Sequence, residues 1–319
     1  MNIDMIRAAA VRLRGQARVT PLLNAPLLDR IAGRRVFVKA ECLQWTGSFK
    51  FRGGWAAVSA LAPEVRARGV IAFSSGNHAQ GVALAANRHG VAAVIVMPKD
   101  APLVKIENTR AYGAEVVLYD RETENRDAIG AALAAERGLT LIRPYDEPQV
   151  IAGQGTVGLE IAAQAADEFI SEAEVITCCG GGGLTSGVAL ALEGQFRVRP
   201  AEPAGFDDVA RSLASGRRER NAALSGSICD AIVTPSPGEI TFPILQRLCG
   251  PGLVVSDDEA LRAMVLAFSH LRIVLEPGGA VALAAALFRD DLPDTVIAVA
   301  SGGNVDPAVF GAALARFGG

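Results

Sequence analysis

The stretch EVITCCGGGGLTSGVALAL, Glu174–Leu192, decides the fold. It opens with a short β-branched run, breaks at four consecutive glycines, Gly180–Gly183, and resumes as an apolar segment of helical character. Glycines at a strand-to-helix turn let the backbone bend tightly and aim several N–H groups at one point. The helix N-terminus adds positive partial charge, so the turn suits a phosphate. With glycines only at 180–183 and 187, no frame fits the dinucleotide pattern G-x-G-x-x-G or the nucleoside-triphosphate pattern G-x-x-x-x-G-K-[ST]. The stretch therefore favours a lone phosphate monoester. Packing at a tight turn would account for one or two of these glycines, less readily for four in a row.

Upstream, Val70–Ser74, Ala92–Pro98, Glu115–Tyr119 and Thr140–Arg143 read as strands. Between them Asn77–His89, Pro102–Tyr112 and Thr123–Arg137 read as helices that stop at Gly90, Gly113 and Gly138. Downstream, Arg197–Ala201, Leu253–Ser256 and Thr295–Ala300 are strand candidates, and Ser256–Leu271 and Gly279–Phe288 are helix candidates. Ser256-Asp257-Asp258-Glu259 is a capping box. Pro200 inside a strand predicts an edge or a bend. The alternation is βαβ repetition, so the fold class is α/β with parallel-rich sheets flanked by helices.

The chain has 319 residues, half of them hydrophobic and a fifth charged, which is a globular balance with ample core. The formal net charge of −3 with no long basic run argues against nucleic acid. Five cysteines, an odd number without a C-x-x-C pair, argue against a disulfide framework or zinc site and for a reducing compartment. The N-terminus lacks a signal-peptide core, and no run of about 18 uncharged apolar residues offers a membrane span. A cytoplasmic enzyme or binding protein is the expectation.

Lys50 stands in TGSFKFRGG, between Phe49 and Phe51. Buried there, a lysine would lose part of its proton affinity and become nucleophilic. Taken alone, the same lysine reads more readily as a surface residue snorkelling from a helix. Ser74-Ser75-Gly76-Asn77-His78 follows a predicted strand and opens a helix, where hydroxyls and N–H groups could clamp a carboxylate. A plain helix cap accounts for Ser and Asn there as well.

Five stretches in order resemble the serine/threonine dehydratase family, which includes serine racemase. They are QWTGSFKFRGG at 44–54, SSGNH at 74–78, VIAGQGT at 150–156, GGGGL at 180–184 and SGGN at 301–304. The likeness runs from Thr20 to Asn304 and beyond. It implies pyridoxal 5'-phosphate (PLP) as cofactor and a two-domain, tryptophan-synthase-β-like fold. Residues 1–60 and 146–319 would form the large PLP-binding domain, and residues 61–145 a small βαβ domain. By the same resemblance Lys50 is the Schiff-base lysine and a proton-transfer group, Phe49 packs beside the pyridine ring, and Asn77 bonds the ring hydroxyl. Gly180, Gly181, Gly182, Gly183 and Leu184 hold the phosphate, and Ser301 meets the pyridine nitrogen. A neutral serine there makes the ring a weaker electron sink, which suits β-elimination better than transamination. Ser74, Ser75, Gly76, Asn77 and His78 would bind substrate, with Ser75 as a base opposite the lysine and His78 mainly structural.

EPAGFDD at 202–208 resembles the family's divalent-cation loop, implying Glu202, Asp208 and the Phe206 carbonyl as ligands of Mg²⁺ or Ca²⁺. The plainer reading is a solvated acidic loop in which Asp207 caps a helix. Cys229-Asp230-Ala231 and the proline-rich 235–239 loop depart from the family pattern, which loosens substrate preference. The chain ends soon after the Ser301 motif, so a regulatory domain and isoleucine feedback are not expected. The expected activity is PLP-dependent ammonia-lyase chemistry on L-threonine or L-serine, by a homodimer with small-molecule partners only. The rivals are dehydration or racemisation of another β-hydroxy amino acid, such as 3-hydroxyaspartate or phenylserine, and a non-catalytic binding protein that kept the fold. An extra cationic side chain at the substrate clamp would favour hydroxyaspartate.

Overall fold

In the computed structural model, which describes residues 1–101 and 103–318, ten strands form two sheets. In chain order they are β1 Leu22–Asn24, β2 Arg35–Lys39, β3 Val70–Phe73, β4 Ala93–Pro98, β5 Glu115–Tyr119, β6 Thr140–Leu141, β7 Glu174–Cys178, β8 Arg197–Pro203, β9 Leu253–Val255 and β10 Thr295–Val299. The larger sheet has the order β1-β2-β10-β7-β8-β9, and only β1 is antiparallel to its neighbour. The smaller, all-parallel sheet has the order β5-β4-β3-β6.

Both faces of the larger sheet are buried, as parallel sheets require. Along β10, Val296 and Ala298 join one core cluster and Ile297 and Val299 the other, following the period of two. The first cluster packs on the Pro277–Phe288 helix, whose residues from Pro277 to Leu287 are all buried. A helix apolar on every side belongs in a core.

Four helices meet main chain to main chain near the centre. A Cβ on Gly54 would lie 2.9 Å from the Gly81 carbonyl oxygen, one on Gly153 2.4 Å from that of Arg52, and one on Gly187 2.5 Å from that of Ile151. Glycine is what lets the Lys50–Ala60, Asn77–Arg88, Pro148–Asp167 and Gly183–Ala191 helices approach so closely. Beside this crossing lies a buried ionic network. Arg52 bonds both oxygens of Glu41 at 2.8 Å and those of Glu160 at 2.6 and 2.9 Å. Lys39 bonds Glu160 at 2.6 Å and the Thr20 carbonyl at 2.7 Å.

The predicted elements stand, with boundary changes that have local causes. The Thr123 helix begins at Arg126 because Asn125 accepts the N–H groups of Asp127 and Ala128. The Pro102 helix runs over Leu103–Ala111, and its expected start at Pro102 lies outside the described residues. The Ser256 capping box is present, but its helix ends at Leu266 and continues to Leu271 as one π-helical turn. Pro200 neither bends β8 nor marks a sheet edge. It shares parity with Val198, whose carbonyl accepts from Gly250, so its missing N–H falls on the β9 side, before pairing with β9 starts at Ala201. Among the described residues no helix is long and apolar enough to cross a membrane.

Candidate active site

One cavity is lined by Phe49, Lys50, Ser74–His78, Gly180–Leu184 and Ser301 together. Residues up to 252 positions apart in the chain thus share one wall. Lys50 is the first residue of its helix, and its Nζ donates to the Pro144 carbonyl at 2.8 Å. It lies 5.2 Å from the centre of the Phe49 ring. Burial pulls its pKa down to about 8, although the charge of Glu276 works the other way. Phe49 in turn donates its N–H to the Ser301 carbonyl at 3.1 Å, tying the lysine segment to the end of β10.

The glycine loop is held from behind. The Gly181 carbonyl accepts from Thr241 Oγ1 at 2.6 Å and from the Gly238 N–H at 3.1 Å. The N–H groups of Gly180, Gly181 and Gly182 donate to no acceptor among the described residues. Gly183 and Leu184 begin a helix, where N–H groups have no intrahelical acceptor. The loop therefore offers an anion a set of free donors.

Ser74–His78 do not act as a plain cap. Gly76 holds the cap position without a side-chain bond, and Ser74 Oγ accepts only the nearby Gly76 N–H at 3.2 Å. Asn77 looks across the cavity instead. Its Nδ2 donates to Glu276 Oε1 at 2.5 Å, and its Oδ1 accepts from Asn304 Nδ2 at 2.7 Å. His78 is buried with Nε2 2.9 Å from the Ile142 carbonyl oxygen, and burial lowers its pKa to about 3, so the ring is neutral.

The sequence reading missed Glu276, which burial raises to about 7. It also missed Lys105, whose Nζ lies 3.5 Å from Asp230 Oδ2 across the cavity lining. Glu276 precedes Pro277 at a helix start, which reads as ordinary punctuation, and Lys105 reads as a solvated helix lysine.

Glu202, Phe206 and Asp208 lie away from this cavity. Glu202 is fully buried, and its oxygens accept the N–H groups of Val209 at 3.0 Å and Ala210 at 2.7 Å. Glu202 thus caps the Asp208–Ser215 helix, while Asp207, the expected cap, makes no side-chain cap bond. Asp208 Oδ1 accepts from Asn221 at 2.6 Å, and its Oδ2 is buried without a partner.

The family model for pyridoxal-phosphate dependent enzymes matches residues 13–302. The chain belongs to this family. The L-threo-3-hydroxyaspartate ammonia-lyase of Pseudomonas sp is 43% identical over 309 residues, covering 95% of either chain. The serine racemase of Arabidopsis thaliana is 38% identical, covering 96% of this chain and 93% of the relative. Among solved structures, a threonine deaminase from T.th. superposes with a TM-score of 0.91 at 44% identity, covering 96% of this chain and 99% of that one. These relatives bear out the expected PLP fold and the reading of the chain as a PLP-dependent ammonia-lyase.

Proposed function

We propose that this PLP-family enzyme eliminates the β-hydroxyl of L-threonine or L-serine, releasing a 2-oxo acid and ammonia. The observation that carries the reading is a lysine of lowered pKa facing the same cavity as a loop of free N–H donors and a neutral serine. The free donors of the glycine loop and the lysine suit the phosphate and the aldehyde of PLP, so the residues fit the cofactor. When bound, PLP bonds the substrate amino group and draws electrons from its α-carbon.

The rest falls to the chain. Gly180–Leu184 would hold the phosphate, Phe49 would flank the ring, and Asn77, oriented by Asn304 and Glu276, would bond the ring hydroxyl. Ser301 would offer its hydroxyl to the pyridine nitrogen. Ser74–Asn77 would clamp the substrate carboxylate. Lys50, with a pKa of about 8, can take the α-proton near neutral pH, and Ser75 would serve the opposite face. Lys50→Ala should lose both visible absorbance on adding PLP and 2-oxo acid release, and full turnover in that variant would refute the assignment.

A second reading has an observation of its own. Lys105 is the cationic side chain, beyond Lys50, that the sequence could not place in the cavity wall. It favours a substrate with a second carboxylate, 3-hydroxyaspartate, in agreement with the named activity of the Pseudomonas relative. A panel of threonine, serine, phenylserine and 3-hydroxyaspartate, with chiral analysis of recovered substrate, separates these and reveals any racemisation.

Glu202, Asp208 and the Phe206 carbonyl would hold Mg²⁺ or Ca²⁺. Asp208 Oδ2, buried without a partner beside a second buried carboxylate, supports a cation there. Among the described residues no group of three or more acidic, histidine or cysteine side chains is placed to hold a metal ion, so water would complete the shell. We also take residues 1–60 with 146–319 as the large domain and 61–145 as the small one. The strands of the four-stranded sheet fall inside the latter range and all the others outside it. A cytoplasmic homodimer completes the proposal.

A further inference from the structure

Gln154 lies within the Pro148–Asp167 helix and is 0% exposed. Neither its Oε1 nor its Nε2 has a hydrogen-bond partner among the described residues. A buried amide left without partners loses free energy at each group, so native proteins seldom leave one. Gln154 also lines the cavity that holds Lys50 and the glycine loop. Its position there is narrow. A Cβ on Gly53, one turn beyond Lys50, would lie 3.0 Å from Nε2, and a Cβ on Gly183 would lie 2.7 Å from Oε1. The carboxamide is therefore wedged between the lysine helix and the first residue of the loop helix.

Several polar groups of the surrounding elements are committed elsewhere. Thr185 Oγ1 and Thr177 Oγ1 bond each other at 2.8 Å, Lys50 Nζ donates to Pro144, and the Gly181 carbonyl accepts from Thr241 and Gly238. What the loop still presents is N–H groups, which are donors. An amide beside a set of donors, itself unsatisfied, is completed by an anion that accepts from both. The two ends of a carboxamide exchange by a half-turn of the side chain, so its NH₂ can face the loop.

We propose that Gln154 is a ligand of the cofactor's phosphoryl group, its carboxamide N–H adding a side-chain donor to the main-chain donors of Gly180–Leu184. The inference rests on the PLP reading. Its consequence is selectivity: Gln154 strengthens binding of PLP and is indifferent to pyridoxal, which lacks the phosphate.

The test uses full-length apoprotein of the wild type, Gln154→Leu and Gln154→Met, each titrated with PLP and with pyridoxal by visible absorbance. Both variants should weaken PLP binding roughly tenfold or more, as loss of a hydrogen bond to a charged oxygen does. Pyridoxal binding should change less than about twofold, the size of effect left when no such bond is lost. The urea midpoint of each apoprotein should hold or rise, because an unsatisfied buried amide has been removed. A merely structural glutamine would instead lower the midpoint and weaken both ligands alike, which overturns the proposal. Unchanged preference for PLP over pyridoxal in either variant overturns it too. A wild type that takes up neither ligand overturns the PLP reading itself and this inference with it. Should neither variant fold, the wild-type crystal structure with inorganic phosphate decides: Nε2 within about 3.2 Å of a phosphate oxygen supports the proposal, and an amide turned away refutes it.

Discussion

Replacing Glu276 by glutamine should make the apoprotein more stable, and by an amount that depends on pH. Glu276 is 5% exposed, and burial raises its pKa from an ordinary 4.5 to about 7. The bond from Asn77 and the positive charges of Lys105 and Lys50 oppose that rise, while Asp230 adds to it. A shift of this size corresponds to about 3 kcal/mol, at about 1.4 kcal/mol for each pH unit. Because the folded pKa is the higher one, the contribution of the protonated carboxyl is complete below about pH 4.5 and is lost as pH rises through about 7. Glutamine keeps an oxygen for the Asn77 N–H and cannot ionise. The stability difference between Glu276→Gln and wild type should therefore be small near pH 4.5 and grow to about 3 kcal/mol by about pH 8. Urea unfolding followed by the fluorescence of Trp45 and Trp55, at several pH values in that interval, measures it directly. A difference that stays flat with pH, or that shrinks as pH rises, would show that Glu276 is not a buried carboxyl of raised pKa.

Gly153→Ala should cost about 1–3 kcal/mol in the same assay, because its Cβ would meet the Arg52 carbonyl oxygen at 2.4 Å. Arg52→Met should cost about 3–5 kcal/mol by leaving Glu41, 0% exposed, as an unpaired buried carboxylate. Lys105→Ala should lower kcat/KM for 3-hydroxyaspartate at least tenfold, on the order of one charge-assisted contact, and leave threonine nearly unaffected. Chelation should lower the melting temperature, and Mg²⁺ or Ca²⁺ should restore it in the wild type but not in Asp208→Asn.

The glycine loop was legible because its signal is local: a β-branched run, four glycines and a helix lie within Glu174–Leu192. The βαβ order was legible for the same reason, with Gly90, Gly113 and Gly138 all at positive φ where helices stop. The Pro148–Asp167 helix was not assigned, since Gly153, Gly155 and Gly158 lower its intrinsic propensity and only packing against neighbouring backbones explains them. Glu276 was invisible because its partner, Asn77, is 199 positions away. Gln154 sat inside a quoted motif, yet nothing in the string of letters shows that its amide is buried without a partner. Asp207 looked like the cap of its helix. Glu202, arriving from a strand, took that place because its carboxylate reaches two N–H groups at once.

The glycine crossings of the four central helices bear on tolerance in the machinist's sense. The spacing between the lysine and the glycine loop is set by main-chain atoms in contact, which have the same dimensions whatever side chains surround them. Changes on the outer faces of these helices, or in the 229–239 segment along the cavity, leave that spacing alone. A single methyl group at Gly54, Gly153 or Gly187 would reset it. The gauge and the adjustable parts are thus separate, and the cavity wall can drift while the distance between Lys50 and the glycine loop stays fixed.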